Sequence, residues 1–213
     1  MTPGRPVGRL IRGEDCIAEG LVWLAAKEPR FAAALAQIGP VPLRLRPDGF
    51  AALLDAIMGQ QVSVASADAI WRRLEAAGFL TEEAIVSAED DALRQCGLSR
   101  QKLRYAKALA HARLDYAALR DMADDDVTAT LVALPGIGRW TAEVYVMLSL
   151  GRADVFAPGD LALQEAARHL FALEERPSER DLRKMAEDWS PWRAVAARLL
   201  WAYYRVIKNR EGI

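Results

Sequence analysis

The sequence predicts an all-α fold, a two-lobed helical bundle. Apolar residues return at three- and four-residue spacing through most of the chain, the period of a half-buried helix. Alanine, leucine and arginine, all good helix formers, recur throughout. Strand-type alternation is confined to Val41-Pro42-Leu43-Arg44-Leu45-Arg46, where a proline interrupts it. This stretch is expected to be an extended connector.

The elements follow in order. Helices are expected over Glu14–Ala26 and Pro29–Ile38, the second ended by Gly39-Pro40. Phe50–Met58 has a clean apolar face and starts after Asp48-Gly49. Ser63–Ala77 closes at Gly78, Thr81–Ser87 begins on a threonine, and Glu89–Cys96 ends at Gly97. Ser99–Leu109, with an extension towards Leu114, precedes Asp124–Ala133 and Arg139–Leu150. Asp160–Phe171, Glu179–Asp188 and Trp192–Ile207 complete the set. One lobe is expected to combine residues 1–39 with 151–213, and the other to span 40–150.

At 213 residues and 52% hydrophobic content the chain is long and apolar enough to bury a substantial core, which excludes a disordered protein. Cys16 and Cys96 stand alone, so a disulfide framework, a zinc ribbon and a four-cysteine iron–sulfur cluster are not expected. No apolar run approaches the roughly 20 residues needed to span a bilayer, and the basic N-terminus has no apolar run after it. A cytoplasmic protein with no membrane contact is expected. The net charge of −1 gives no bulk attraction for nucleic acid. The charges are nevertheless segregated. Arg94, Arg100, Lys102, Arg104, Lys107 and Arg113 occur with no acid between them, and acids cluster from Asp115 to Asp126. That run is either a solvated helix face or a cationic surface.

The most informative segment is Leu134-Pro135-Gly136-Ile137-Gly138-Arg139-Trp140-Thr141-Ala142, between two expected helices. Its glycines permit a tight turn. The helix after it presents unpaired N–H groups at the positive end of its dipole, a site for a phosphate that needs no charged side chain. An ordinary helical corner would also use glycine, but the whole string resembles the hairpin of the helix-hairpin-helix (HhH-GPD) DNA glycosylase superfamily. Further along, Asp154-Val155-Phe156-Ala157-Pro158-Gly159-Asp160 is similar to the loop that carries that family's catalytic aspartate. Gly59-Gln60-Gln61-Val62-Ser63 resembles its Gln-Gln-x-Ser segment, and Gly97-Leu98-Ser99 with Lys102 resembles a turn that wedges into DNA. Ser190-Pro191-Trp192-Arg193 is similar to the 3-methyladenine DNA glycosylase II branch.

The resemblance implies an activity. A carboxylate near the sugar stabilises the positive charge that develops as an N-glycosidic bond breaks, and Asp160 takes that role; by its position alone it would be a helix cap. Asp154 is the rival acid. Family members that also nick the backbone place a lysine where this chain has Trp140, so a monofunctional glycosylase acting on alkylated bases, leaving an abasic site, is expected. Trp140, Trp192 and, more weakly, Tyr145 are the expected base-pocket walls, through stacking and cation–π attraction to an electron-poor ring. Tyrosine positions of the family hold Val144 and Leu161 here, which leaves base specificity open.

DNA contacts are expected from Gly136, Gly138, Arg139 and Thr141, from one of Leu98, Ser99 and Arg100 as the wedge, and from Lys102. Gln60 and Ser63 either touch DNA or support the pocket. Carbonyls of Val132, Leu134 and Ile137 are placed by the resemblance around a K+ or Na+ ion. His111 and His169 are read as structural. The partner is double-stranded DNA, bound by a monomer, at the nucleoid if the source is bacterial. A bifunctional glycosylase/lyase of the endonuclease III type and a non-catalytic damaged-DNA-binding protein are the competing readings.

Overall fold

The computed structural model describes residues 7–211, with side chains to residue 209. Residues 1–6, part of the N-terminal stretch read as having no leader and of the first expected lobe, lie outside the described residues. Among the described residues there are thirteen α-helices and no strand. In chain order they are α1 (Glu14–Lys27), α2 (Pro29–Leu35), α3 (Phe50–Met58), α4 (Val64–Ala76), α5 (Glu82–Ser87), α6 (Asp90–Gln95) and α7 (Arg100–Ala112). Then come α8 (Tyr116–Asp121), α9 (Asp124–Val132), α10 (Arg139–Leu148), α11 (Leu161–Leu170), α12 (Glu179–Met185), a 3-10 turn at Ala186–Trp189, and α13 (Arg193–Glu211). The expected helices match these to within a few residues, except that α8 was not anticipated. The connector over residues 41–46 is irregular, as expected.

Helix starts follow from short polar side chains. Ser63, Thr81, Ser99, Asp115, Asp160 and Ser178 each accept a backbone N–H from the first turn of α4, α5, α7, α8, α11 and α12. α1 lacks a side-chain cap, and Glu14 and Asp15 complement its positive end instead.

Two compact units result. In the first, residues 46–145, α7 packs against α3, α5 and α6, and α4 packs on α3. Its core includes Leu53, Leu54, Ile57, Leu93, Leu109 and Val127. In the second, residues 7–45 with 146–211, α13 packs against α11, α1 and α2. The run Ala194–Leu200 is buried all round, so α13 is the central helix of this unit. Phe31 and Phe156 meet Trp189 edge-on, with ring centroids 5.3 and 5.4 Å away, and Phe171 stacks on the same ring. Gly20 on α1 admits the Trp192 ring, because a Cβ there would lie 2.9 Å from a ring carbon.

Arg198 is fully buried in this unit. Its guanidinium donates to the carbonyls of Leu43 (2.7 Å), Ala194 (2.9 Å) and Met147 (3.4 Å), tying the connector and the end of α10 to α13. Burial, with the charge of Arg44 adding to it, pushes its pKa down to about 10, so it stays protonated at neutral pH. Arg198→Ala should destabilise the protein by roughly 2–4 kcal/mol in urea unfolding, since it leaves buried carbonyls unpaired and a cavity behind.

Candidate active site and nucleic-acid interface

The hairpin lies in the first unit. α9 ends at Val132, and the Leu134 carbonyl accepts the Ile137 N–H (3.1 Å), closing a tight turn. Gly136 has φ +91°, and a Cβ there would come within 2.4 Å of the Tyr105 ring, so only glycine fits on both counts. Gln60 donates from its amide nitrogen to the Gly136 carbonyl (2.8 Å), fixing the turn from the other direction. Ile137 is buried beneath it. The Gly138 carbonyl accepts from Ala142 as α10 begins. The N–H groups of Arg139, Trp140 and Thr141 therefore stand in the first turn, at the positive end of the helix.

Asp160 lies in the second unit, half-buried, as the cap of α11. Its Oδ1 accepts from the backbone N–H groups of Ala162 (2.9 Å) and Leu163 (3.1 Å) and from the indole N–H of Trp201 (3.3 Å). These donors orient the carboxylate at the positive end of a helix. The loop that delivers it is pinned repeatedly. Ala153 N–H donates to the Arg9 carbonyl (2.9 Å), Ile11 N–H to the Gly151 carbonyl (2.7 Å), and Ala194 N–H to the Ala153 carbonyl (2.9 Å). The buried Gln164 amide donates to the Pro158 carbonyl (2.8 Å).

A phosphate-ready hairpin and an oriented carboxylate at a helix start are what a base-excising DNA enzyme needs. Residues 54–191 match the HhH-GPD superfamily of base excision DNA repair proteins. The chain belongs to this superfamily. It is 30% identical over 158 residues to a protein named DNA-3-methyladenine glycosylase 1 of Schizosaccharomyces pombe, covering 70% of this chain and 69% of that one. The crystal structure of a DNA-3-methyladenine glycosidase from Bacillus halodurans superposes with TM-score 0.81 at 32% identity, covering 89% of this chain and 91% of that one. The S. pombe 3-methyladenine DNA glycosylase, solved with abasic DNA, superposes with TM-score 0.74 at 26% identity, covering 86% and 95%.

Not every residue expected to serve this HhH-GPD protein's site is placed to do so. Lys102 is a correction: only 8% exposed, it donates from Nζ to the Met58 carbonyl at the end of α3, and burial lowers its pKa. Its charge satisfies a helix C-terminus and is not presented to phosphates. Leu98 is another: it is buried in the first unit, so it is no wedge. Trp192 is a third. It is 2% exposed, packed against Gly20, with the Arg9 guanidinium 4.7 Å over its ring, so it is core. Tyr145 is likewise buried, with its hydroxyl accepting the Gly49 N–H (2.9 Å). Thr141 is buried, which leaves its backbone N–H as its means of contact. Arg139 is exposed and pairs with the buried Glu143 on α10 (3.0 Å). Trp140 is 46% exposed. Ser99 caps α7, and Arg100 and Arg104 are exposed on that helix. Ser63 caps α4.

Two features escaped the sequence reading. Trp201, read as core, is the indole that reaches Asp160. In the first unit, the turn after α3 places the exposed Gln61 at φ +56°, a strained conformation, beside Val62 and the 78% exposed Val64. Two exposed valines around a capping serine were the available signal. Among the described residues no helix is long and apolar enough to cross a membrane.

Asp154, the rival acid, is held in an ion pair. Arg193 grips both its oxygens (2.7 and 2.9 Å) and the Ser190 hydroxyl donates to Oδ2 (2.8 Å). Burial pushes its pKa up, but the Arg193 and Ser190 hydrogen bonds and the Arg193 charge outweigh that and hold it below the ordinary value of 3.8. Its folded pKa is depressed, so its stabilisation is present above the unfolded value and is lost as pH falls through the folded one. Asp154→Asn should lower stability at neutral pH by about 1–3 kcal/mol. Unfolding curves taken across a pH series should show the gap between wild type and variant closing below the ordinary carboxylate range.

Proposed function

We propose that this chain is a monofunctional DNA glycosylase of base excision repair that hydrolyses the N-glycosidic bond of alkylated bases, of the 3-methyladenine and 7-methylguanine type, in double-stranded DNA. The observation that carries this reading is the Asp160 carboxylate, held at the start of α11 by three neutral N–H donors. The names of the similar proteins, 3-methyladenine glycosylases, supply the substrate class.

As the C1′–N bond breaks, the base departs with the bonding electron pair and the sugar gains oxocarbenium character. Asp160 stabilises that charge and accepts a proton as water oxygen bonds to C1′. A base alkylated on the ring leaves as a neutral molecule, so its departure needs little help. The product is an abasic site with the strand intact. Trp140 stands where a lysine would form a Schiff base, so no covalent adduct is expected. The same exposed indole is the ring on which the flipped base stacks.

The first-turn N–H groups of α10, with Gly136 and Gly138, hold a backbone phosphate. Arg139, Arg100 and Arg104 add salt-dependent affinity. The exposed Gln61–Val64 turn fills the gap left by the flipped base, with Gln60 as the support that ties this turn to the hairpin. A K+ or Na+ ion on the carbonyls of Val132, Leu134 and Ile137 would add positive charge beside the phosphate. Val132 closes α9, where carbonyls lack helical partners, and the Leu134 carbonyl keeps a second lone pair beyond its bond to Ile137. The enzyme acts as a monomer in the cytoplasm, and at the nucleoid if its source is bacterial.

The test is release of bases from methylated duplex DNA, read by chromatography. Wild type should release them, and Asp160→Asn should be slower by about 10²- to 10³-fold with DNA affinity retained. Absence of release by wild type would favour a non-catalytic binder. Borohydride trapping of an enzyme–DNA adduct would instead favour a bifunctional lyase.

A further inference from the structure

Arg44 sits in the connector between α2 and α3 with φ +51°, a left-handed conformation that a residue with a side chain seldom adopts. Its neighbour Leu43 is anchored, since the Leu43 carbonyl accepts from the buried Arg198 guanidinium at 2.7 Å. The left-handed turn that follows lays the Arg44 guanidinium over the Trp201 ring, 5.4 Å from its centroid. The edge of that ring donates to Asp160 Oδ1.

We propose that Arg44 is a positioning residue for Asp160, acting through Trp201: its guanidinium holds the indole plane at the angle that delivers the ring N–H to the carboxylate. The claim rests on the reading of Asp160 as the catalytic acid.

The physical case has three parts. The two backbone donors at Asp160 belong to the helix and come with any cap; the indole is a donor supplied by a separate element. Its N–H lies in the ring plane, so the bond depends on ring rotation. At 3.3 Å that bond is at the long end of the useful range, where a small rotation breaks it. A cation over the ring face restrains the rotation. Arg44 also stands close enough to Arg198 for the two cations to oppose each other, as the lowered Arg198 pKa registers. Backbone strain and like-charge repulsion both work against this placement, so the contact with the indole is not the chain's default.

The experiment combines single-turnover base release with equilibrium DNA binding, for wild type, Arg44→Ala, Arg44→Lys, Trp201→Phe and the double variant Arg44→Ala/Trp201→Phe. Arg44→Ala should slow the chemical step by about 10- to 100-fold, the scale of a misplaced catalytic group, while affinity changes by less than about threefold. Arg44→Lys should recover most of the rate. Trp201→Phe keeps a ring but loses the N–H, and in that background removing Arg44 should cost less than about twofold further. A rate unchanged in Arg44→Ala, a loss wholly in affinity, or losses that multiply in the double variant would overturn the proposal.

A second measurement stands whether or not wild type releases bases. The indole N–H resonance of Trp201 in a nitrogen–proton correlation spectrum should move in both Arg44→Ala and Asp160→Asn. If Arg44→Ala leaves it in place, the coupling is absent. If wild type is inactive while the resonance responds to both substitutions, the glycosylase reading fails and the coupling survives.

Discussion

A carboxylate can be fixed by an ion pair or by N–H dipoles at a helix start, and the second unit uses both. Two aspartates six residues apart show the two outcomes. Asp154 is enclosed by a guanidinium and a hydroxyl and has become a structural ion pair. Asp160 is oriented at the start of α11 by two peptide N–H groups and an indole N–H. The first aspartate serves the second: the Asp154–Arg193 pair fixes the start of α13 against the loop that ends at Asp160. The strap at residues 9–11 does the same from the chain's N-terminal side.

The hairpin meets a different constraint, that of attracting a polyanion with a chain of net charge −1. It does so with backbone. Tyr105 against Gly136 and Gln60 on the Gly136 carbonyl set the turn, and the turn sets where the first-turn N–H groups of α10 point. The cations nearest in sequence are divided in role. Lys102 and Lys107 spend their charge on carbonyls, the first on Met58 and the second on Val86 and Ala88, whereas Arg100 and Arg104 remain exposed. A run of like charges in sequence was therefore only partly a surface.

That division explains what was legible in the sequence. Long helices were, because their apolar period is local information. α8 was not: it is as short as α5 and α6, each with one buried residue, but no glycine marks its end as Gly97 marks that of α6. The hairpin turn was legible because it needs glycine, and Asp160 was legible as a helix cap, its further role being only what the family resemblance implies. Burial of individual side chains was not, because Lys102 and Leu98 are buried by residues distant in sequence. The two C-terminal tryptophans show this best. Trp192 precedes the first turn of α13 and packs against Gly20 and under Arg9, whereas Trp201, within the helix, donates to Asp160.

The departures at Val144 and Leu161 then acquire a meaning. Leu161 directly follows Asp160 and is 63% exposed, offering aliphatic surface in place of a ring. Aliphatic surface rewards burial but does not discriminate a flat cation from any other apolar shape, whereas an aromatic face does. Under the proposed reading, fewer rings choose the base and more of the choice falls on the chemistry of the bond. A carboxylate that stabilises the sugar cation but donates no proton to the base acts only on bases that leave readily by themselves. Ring-alkylated purines carry a positive charge before the bond breaks, and ordinary purines do not. An enzyme relying on Asp160 in this way can tolerate a loosely discriminating pocket, because intact bases that enter it still fail to react.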